Sequence, residues 1–323
     1  QPMPLTLHVN VGDCIKVNLT NDLAAGRASF HADNLAFDPL SSQGINVGKN
    51  PGDQTIGPGE KKTYTFYAHP QVGENAAFVA DFADPIHNQR DGLFGSIVIG
   101  PKGSSYRDPV TGADISLKNS WRADVILDSG VPENKGRSNY RDFSLYFQDE
   151  DNILGTSFMP YLQQAAGLVG INYKSDPFSL RVNEGCETLN TIFSCIGEGK
   201  TGDPVTPILE THAGDAVVIH VYGAFSEQNS VFGVEGHEWP EEPFMKGADL
   251  VSNLEFGGSE TMNVYLNAGG PYSLSADYVY TNHRMAYQEA GQWGFLRVLP
   301  LGDKRVLPLT ESRAGSGARR VSF

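Results

Sequence analysis

Two stretches decide the fold: VGDCIKVNLTN at residues 11–21 and AGDAVVIHVY at residues 213–222. Each opens on a Gly-Asp turn dipeptide and runs into alternating, mostly β-branched residues, the pattern of a half-buried strand. They lie about 200 residues apart, and the same offset relates two further pairs. Glu60 in GPGEKKTYTFYA matches Glu260 in GGSETMNVYLNA; in both, a Gly-rich turn leads into a period-two strand. That period places Tyr64 and Phe66, and likewise Val264 and Leu266, on one face. DGLFGSIVIGP, from Asp91, matches AGQWGFLRVLP, from Ala290, and each reads as the last strand of a domain. Three landmarks recurring in one order point to two homologous β domains.

Bulk properties agree. A chain of 323 residues is too long for one ordinary core and suits two domains. The 36 glycines and 19 prolines, with 13 tyrosines and 17 phenylalanines, fit many short strands joined by turns, an all-β fold. No stretch approaches the ~18 continuous apolar residues of a membrane span. The formal net charge of −14 argues against nucleic acid as a partner, and we read the acidic surface as a solubility device.

We expect the first domain over 1–100, a linker over 101–118 (PKGSSYRDPVTGADISLK) and the second domain over 119–303. An insertion at about 152–201 carries YLQQAAGL, residues 161–168, which reads as a short helix. The tail, 304–323, reads as flexible or partner-bound. Of three cysteines, Cys186 and Cys195 flank a short loop and are spaced to close a disulfide in an oxidising compartment. Cys14, within VGDCIKV, reads as a small buried hydrophobe. The sequence starts at Gln1 without a signal-peptide pattern, as in a mature secreted product or a piece of a longer chain.

Nearly the whole chain resembles the large bacterial multicopper oxidases, including the manganese-oxidising type. The resemblance rests on GDCIKVNLTN, SFH, SQGINVGKNPGDQTIGPGEKKTYTFYA, DGLFGSIVIGP and DPVTG in the first half. In the second half it rests on GDPVTPILETHAGDAVVIHV, VFGVEGHEWP and DYVYTNHRMAYQEAGQWGFLRV. It implies two cupredoxin-like Greek-key β-sandwich domains and an extracellular or periplasmic location. In active members a blue copper with two His, one Cys and a weak axial Met feeds a trinuclear cluster held by four His-x-His pairs.

Against that requirement the chain is depleted of ligands. Its eight histidines are His8, His31, His69, His87, His212, His220, His237 and His283, and no two are separated by a single residue. By the resemblance, His31 keeps the first place of a pair whose second is Asp33. The next pair falls near 82–84, where Asp84 is the one conceivable ligand, and His87 lies roughly where a blue-copper His can sit. In the second half the paired places become Gly233 and Glu235, and His237 matches a non-ligand. The His-Cys-His segment aligns with Thr281, Asn282 and His283, the later His with Tyr287 and the axial Met with Gln292. His31, His87 and His283 are therefore the candidate remnants of copper ligation; the bland alternative is that these, like His237, are hydrogen-bonded loop histidines. Glu235, Glu238 and His237 form a weaker candidate for a cation.

No nucleophile elbow, P-loop, HExxH or GxGxxG is present, and no catalytic or cofactor-binding residue is assigned. Asn18, in NLT, fits a glycosylation acceptor. The sequence reading is a copper-free cupredoxin pair serving as a structural or assembly part of a larger secreted complex, with a protein partner or self-association. The alternative is a copper-dependent oxidase whose sites are completed by another chain or a missing portion.

Overall fold

The computed structural model describes residues 2–149, 169–183, 186, 189–195, 202–226 and 228–309. The expected helix at 161–168, most of the insertion and the tail from 310 lie outside these residues. Short strands dominate the rest, and no described helix is long and apolar enough to cross a membrane. The chain forms two compact units: one holds Pro4–Asp108 and Gly112–Arg137, the other Pro109–Thr111 and the described residues from Ser138 onward.

In the N-terminal unit, β1 (Leu5–Asn10) crosses to β2 (Cys14–Thr20) in a second sheet, and the chain continues through β3 (His31–Ala32), β4 (Ala36–Phe37), β5 (Lys61–Tyr67), β6 (Asn75–Ala80), helix α1 (His87–Arg90) and β7 (Phe94–Gly100). One sheet has the order β1-β7-β6-β3, with β1 and β7 parallel; the other has the order β2-β5-β4. Between them lies a core of Phe30, Ala32, Leu35, Tyr64, Phe66, Ala77, Val79, Ile97 and Ile99. The segment read as a linker carries β8 (Ser105–Arg107), which pairs with β9 (Arg122–Ile126). Buried Tyr106 donates its hydroxyl to the Val9 carbonyl at 2.6 Å, fixing that hairpin in this unit.

The C-terminal unit repeats the plan with longer strands. Strand β10 (Tyr140–Asp149) pairs with β11 (Val169–Ile171) and runs parallel to β13 (Ala216–Ser226), which pairs with β18 (Thr261–Asn267). The facing sheet contains β12 (Ile208–His212), β14 (Ser230–Val234), β17 (Asn253–Phe256), β19 (Asp277–Asn282) and β20 (Trp293–Leu299), ordered β12-β20-β19-β14-β17 with β12 and β20 parallel. A two-residue ribbon, β15 (Trp239–Pro240) with β16 (Leu250–Val251), and the short helices α2 (Phe178–Asn183) and α3 (Met285–Glu289) complete it. Phe147, Phe232, Trp239, Tyr280 and Leu266 are among the buried residues of this unit. Cys186 and Cys195 form a disulfide with Cα atoms 4.9 Å apart.

The sequence repeat is a repeat of hydrogen bonds. Gly12 donates to the Ala68 carbonyl at 2.8 Å and Gly214 to that of Ala268 at 2.9 Å. The Glu60 carboxylate accepts from Gly57 N–H at 2.6 Å, and that of Glu260 accepts from Gly257 N–H at 2.7 Å. The G-x-aromatic-G landmark has a physical reason at both glycines. Gly92 and Gly291 have φ of +102° and +109°, where a Cβ is strained. A Cβ on Gly95 would press on the Leu5 carbonyl, and one on Gly294 on the Tyr280 hydroxyl.

Tyr64, Phe66, Val264 and Leu266 are all buried, as their period requires. Cys14 corrects the sequence reading, because its thiol is exposed. The inward parity of β2 belongs to Ile15, Val17 and Leu19, and Cys14 shares the outward face with Lys16 and Asn18.

Candidate functional site

The ligand places of the resemblance sit at equivalent points of the two sandwiches. His31 pairs across β3 and β6 with Ala80, and Gly233 pairs across β14 and β19 with Thr281. Two residues beyond Ala80 and Thr281 stand Phe82 and His283. Each unit thus keeps one imidazole of the facing pair: His31 lies edge-on to Phe82, ring centroids 5.1 Å apart, while His283 lies over Gly233. A Cβ on Gly233 would overlap His283 Nε2 and Asn253 Oδ1, so this place has no room for a larger side chain without movement of both.

The three candidate remnants all face carboxylates. His31 Nε2 is 3.0 Å from Asp33 Oδ1 and its Nδ1 is 2.6 Å from the Gln43 carbonyl. Burial pushes the His31 pKa down, but the Asp33 bond, the Gln43 carbonyl and the Asp33 charge together leave it raised. His87 is exposed and pairs with Asp84 at 2.9 Å; Asp84 is held below its ordinary pKa, first by the His87 backbone N–H. His283 Nε2 is 3.9 Å from Glu235 Oε1, both side chains partly solvated. For His31 and His283 the facing carboxylate, Asp33 or Glu235, stands where the resemblance puts the second member of a His-x-His pair. Among the described residues no group of three or more His, Cys, Asp or Glu side chains is placed to hold a metal ion.

Behind His283 the chain turns inward, and where the resemblance puts the copper-binding thiolate there is a closed amide network. Asn282 and Gln292 are fully buried. Asn282 Nδ2 donates to Ser230 Oγ at 2.8 Å and to Gln292 Oε1 at 2.7 Å. Its Oδ1 accepts from the backbone N–H groups of Val231, at 3.3 Å, and Arg284, at 3.0 Å. Gln292 Nε2 donates to the carbonyls of Gln148, at 2.9 Å, and Gly170, at 3.4 Å. Those two carbonyl partners fix which end of the Gln292 amide faces Asn282. Both donors and both acceptor directions of Asn282 are occupied, and neither amide supplies the soft thiolate or thioether that a blue copper requires. The donor set at this place therefore does not fit the copper centre of the resemblance.

Other histidines are embedded in structural networks; a hydrogen-bonded His237 was among the sequence readings, whereas the networks of His220 and His212 were not. His237 is buried; its Nδ1 donates to the Glu235 carbonyl at 2.9 Å and its Nε2 accepts from Gly269 N–H at 3.1 Å, so the ring is neutral. Burial holds its pKa down, against the Glu235 carbonyl. His220, on β13, bridges Asp142 Oδ2 of β10 at 2.9 Å and Asn263 Oδ1 of β18 at 2.5 Å. Burial opposes its charge, yet the Asp142 carboxylate and the two hydrogen bonds leave its pKa raised. His212 Nε2 is 2.9 Å from the Asp303 carbonyl, and its Nδ1 lies 3.3 Å from a guanidinium nitrogen of buried Arg141.

No family model and no curated protein matches the chain. Solved structures do. A multicopper oxidase superposes with a TM-score of 0.56 at 15% identity, covering 92% of this chain and 79% of that one. A blue copper oxidase from Nitrosomonas europaea gives 0.57 at 17%, covering 93% and 77%. A copper nitrite reductase from Nitrosomonas europaea gives 0.53 at 15%, covering 92% and 84%. At such identities the likeness establishes the fold: an all-β, cupredoxin-type architecture like that of multicopper oxidases. The neighbours do not single out the manganese-oxidising type.

Proposed function

We propose that this chain is a cupredoxin pair whose copper-ligand places have been rebuilt without copper, acting as a structural or assembly part of a larger secreted or periplasmic complex. The observation that carries this reading is the saturated Asn282–Gln292 pair where the resemblance puts thiolate and axial ligand. Function resides in sites rather than folds, and here the scaffold is retained while the site chemistry is changed. The Cys186–Cys195 disulfide is compatible with an oxidising compartment. Partners would be proteins, another copy included. The test is elemental analysis after incubation with Cu(II) and desalting, with light scattering for assembly: the reading predicts far less than one copper per chain and no blue charge-transfer band. Near-stoichiometric retained copper would overturn it.

The oxidase reading keeps one supporting observation: each unit retains one imidazole of the facing pair, His31 on β3 in the first and His283 just beyond β19 in the second. It predicts a blue band or oxidase activity only when the chain is co-purified with a second component that brings the missing ligands.

A further inference from the structure

The amide pair does more than occupy space. Asn282 ends β19 and contacts Ser230 at the start of β14, both in the five-stranded sheet. Gln292 immediately precedes β20 in that sheet, and its Nε2 reaches the carbonyls of Gln148 on β10 and Gly170 on β11 in the facing sheet. Cross-strand register brings Gln148 opposite Gly170, so one amide group bonds both members of a single pair. The chain Ser230–Asn282–Gln292–Gln148/Gly170 therefore runs across the sandwich through its buried interior, and every polar atom of the two amides that a partner can reach is engaged.

We propose that this network is a metal-free lock between the two sheets of the C-terminal unit, doing by hydrogen bonds what a coordinated metal would otherwise do at that place. The inference rests on the copper-free reading of the site. Its physical basis is asymmetry: a satisfied buried polar network fixes one arrangement, whereas a half-satisfied one leaves groups desolvated without compensation. Restoring ligand-type side chains is thus predicted to damage the fold rather than to create a copper centre. A Cys at 282 cannot supply two donors and two acceptors, and a Met at 292 gives the Gln148 and Gly170 carbonyls nothing.

The experiment is hydrogen exchange on the parent chain, Gln292→Met and the double variant Asn282→Cys/Gln292→Met, with Cu(II) added to each. In Gln292→Met, a near-isosteric change, the β10 and β11 amides are expected to exchange about tenfold faster or more, with the N-terminal unit unchanged. The double variant should lose at least as much protection and show no blue band. If β10 and β11 exchange at the parent rate in Gln292→Met, the lock is refuted even though the chain binds no copper. A double variant that takes up copper and turns blue refutes it as well. Should the double variant fail to fold, the single variant still decides. Tight copper in the parent chain instead removes the functional reading beneath it.

Discussion

At the residue scale, the histidines carry opposite pH signatures. His220 sits between the Asp142 carboxylate and the Asn263 side-chain amide; burial opposes its charge, but the Asp142 charge and the two hydrogen bonds leave its pKa above the ordinary value of 6.5. A group whose pKa is raised on folding contributes its full stabilisation below the unfolded value and loses it as pH climbs through the folded one. His31, raised by Asp33, adds to the same trend. His237 has the reverse sign: held neutral in the fold with a lowered pKa, it destabilises the native state as pH falls below about 6.5. Urea unfolding from pH 5 to 9 should therefore show declining stability on the alkaline side of the profile, and Asp142→Asn should flatten that limb. A decline that persists unchanged in Asp142→Asn would show that His220 does not cause it. The absence of any His-x-His pair was legible in the sequence, because residue order and spacing need no structure. The hydrogen bonds that saturate Asn282 were not, since its partners lie on separate segments, Ser230 and Val231 on β14, Arg284 just after β19 and Gln292 before β20.

At the element scale, strand parity sets chemistry. Cys14 faces outward from β2 while Cys186 and Cys195 are paired, so the native, unreduced protein should titrate one thiol, rising to three after reduction in denaturant. A native protein showing no reactive thiol would contradict the register of β2 against β5, which sets Cys14 opposite Tyr67. On β10, buried Arg141 bonds Asp215 at 2.9 Å and the Leu307 carbonyl, beyond the end of β20, at 2.5 Å. Arg141→Ala leaves Asp215 as a buried carboxylate without that counter-charge and is expected to cost about 3–5 kcal/mol in chemical denaturation. An effect below about 1 kcal/mol, the range of exposed ion pairs, would mean that the clamp is solvated. The strand patterns of β2, β5, β13 and β18 were readable because alternation and Gly-Asp or Gly-rich turns are local signals. Cys14 was misread because its neighbours Val11, Gly12 and Asp13 belong to the turn, and the strand's inward phase starts only at Ile15.

At the scale of the whole molecule, stability should be independent of metal. If hydrogen bonds replace coordination, dialysis against a chelator leaves Tm unchanged, and added Cu(II) gives no upward shift of the kind that tight native-state binding produces. A Tm that falls on chelation and returns with copper would point to a resident metal. The sequence by itself determined that two β domains share one plan, because paired turns and strand phases recur at a fixed offset. It also determined that the places the resemblance gives to the thiolate and most imidazoles hold other residues here, because residue identity is read directly. Only the tertiary structure decided what took their place. Ligation and its replacement alike depend on side chains that converge from distant strands, and convergence is a property of register and packing that no local pattern encodes.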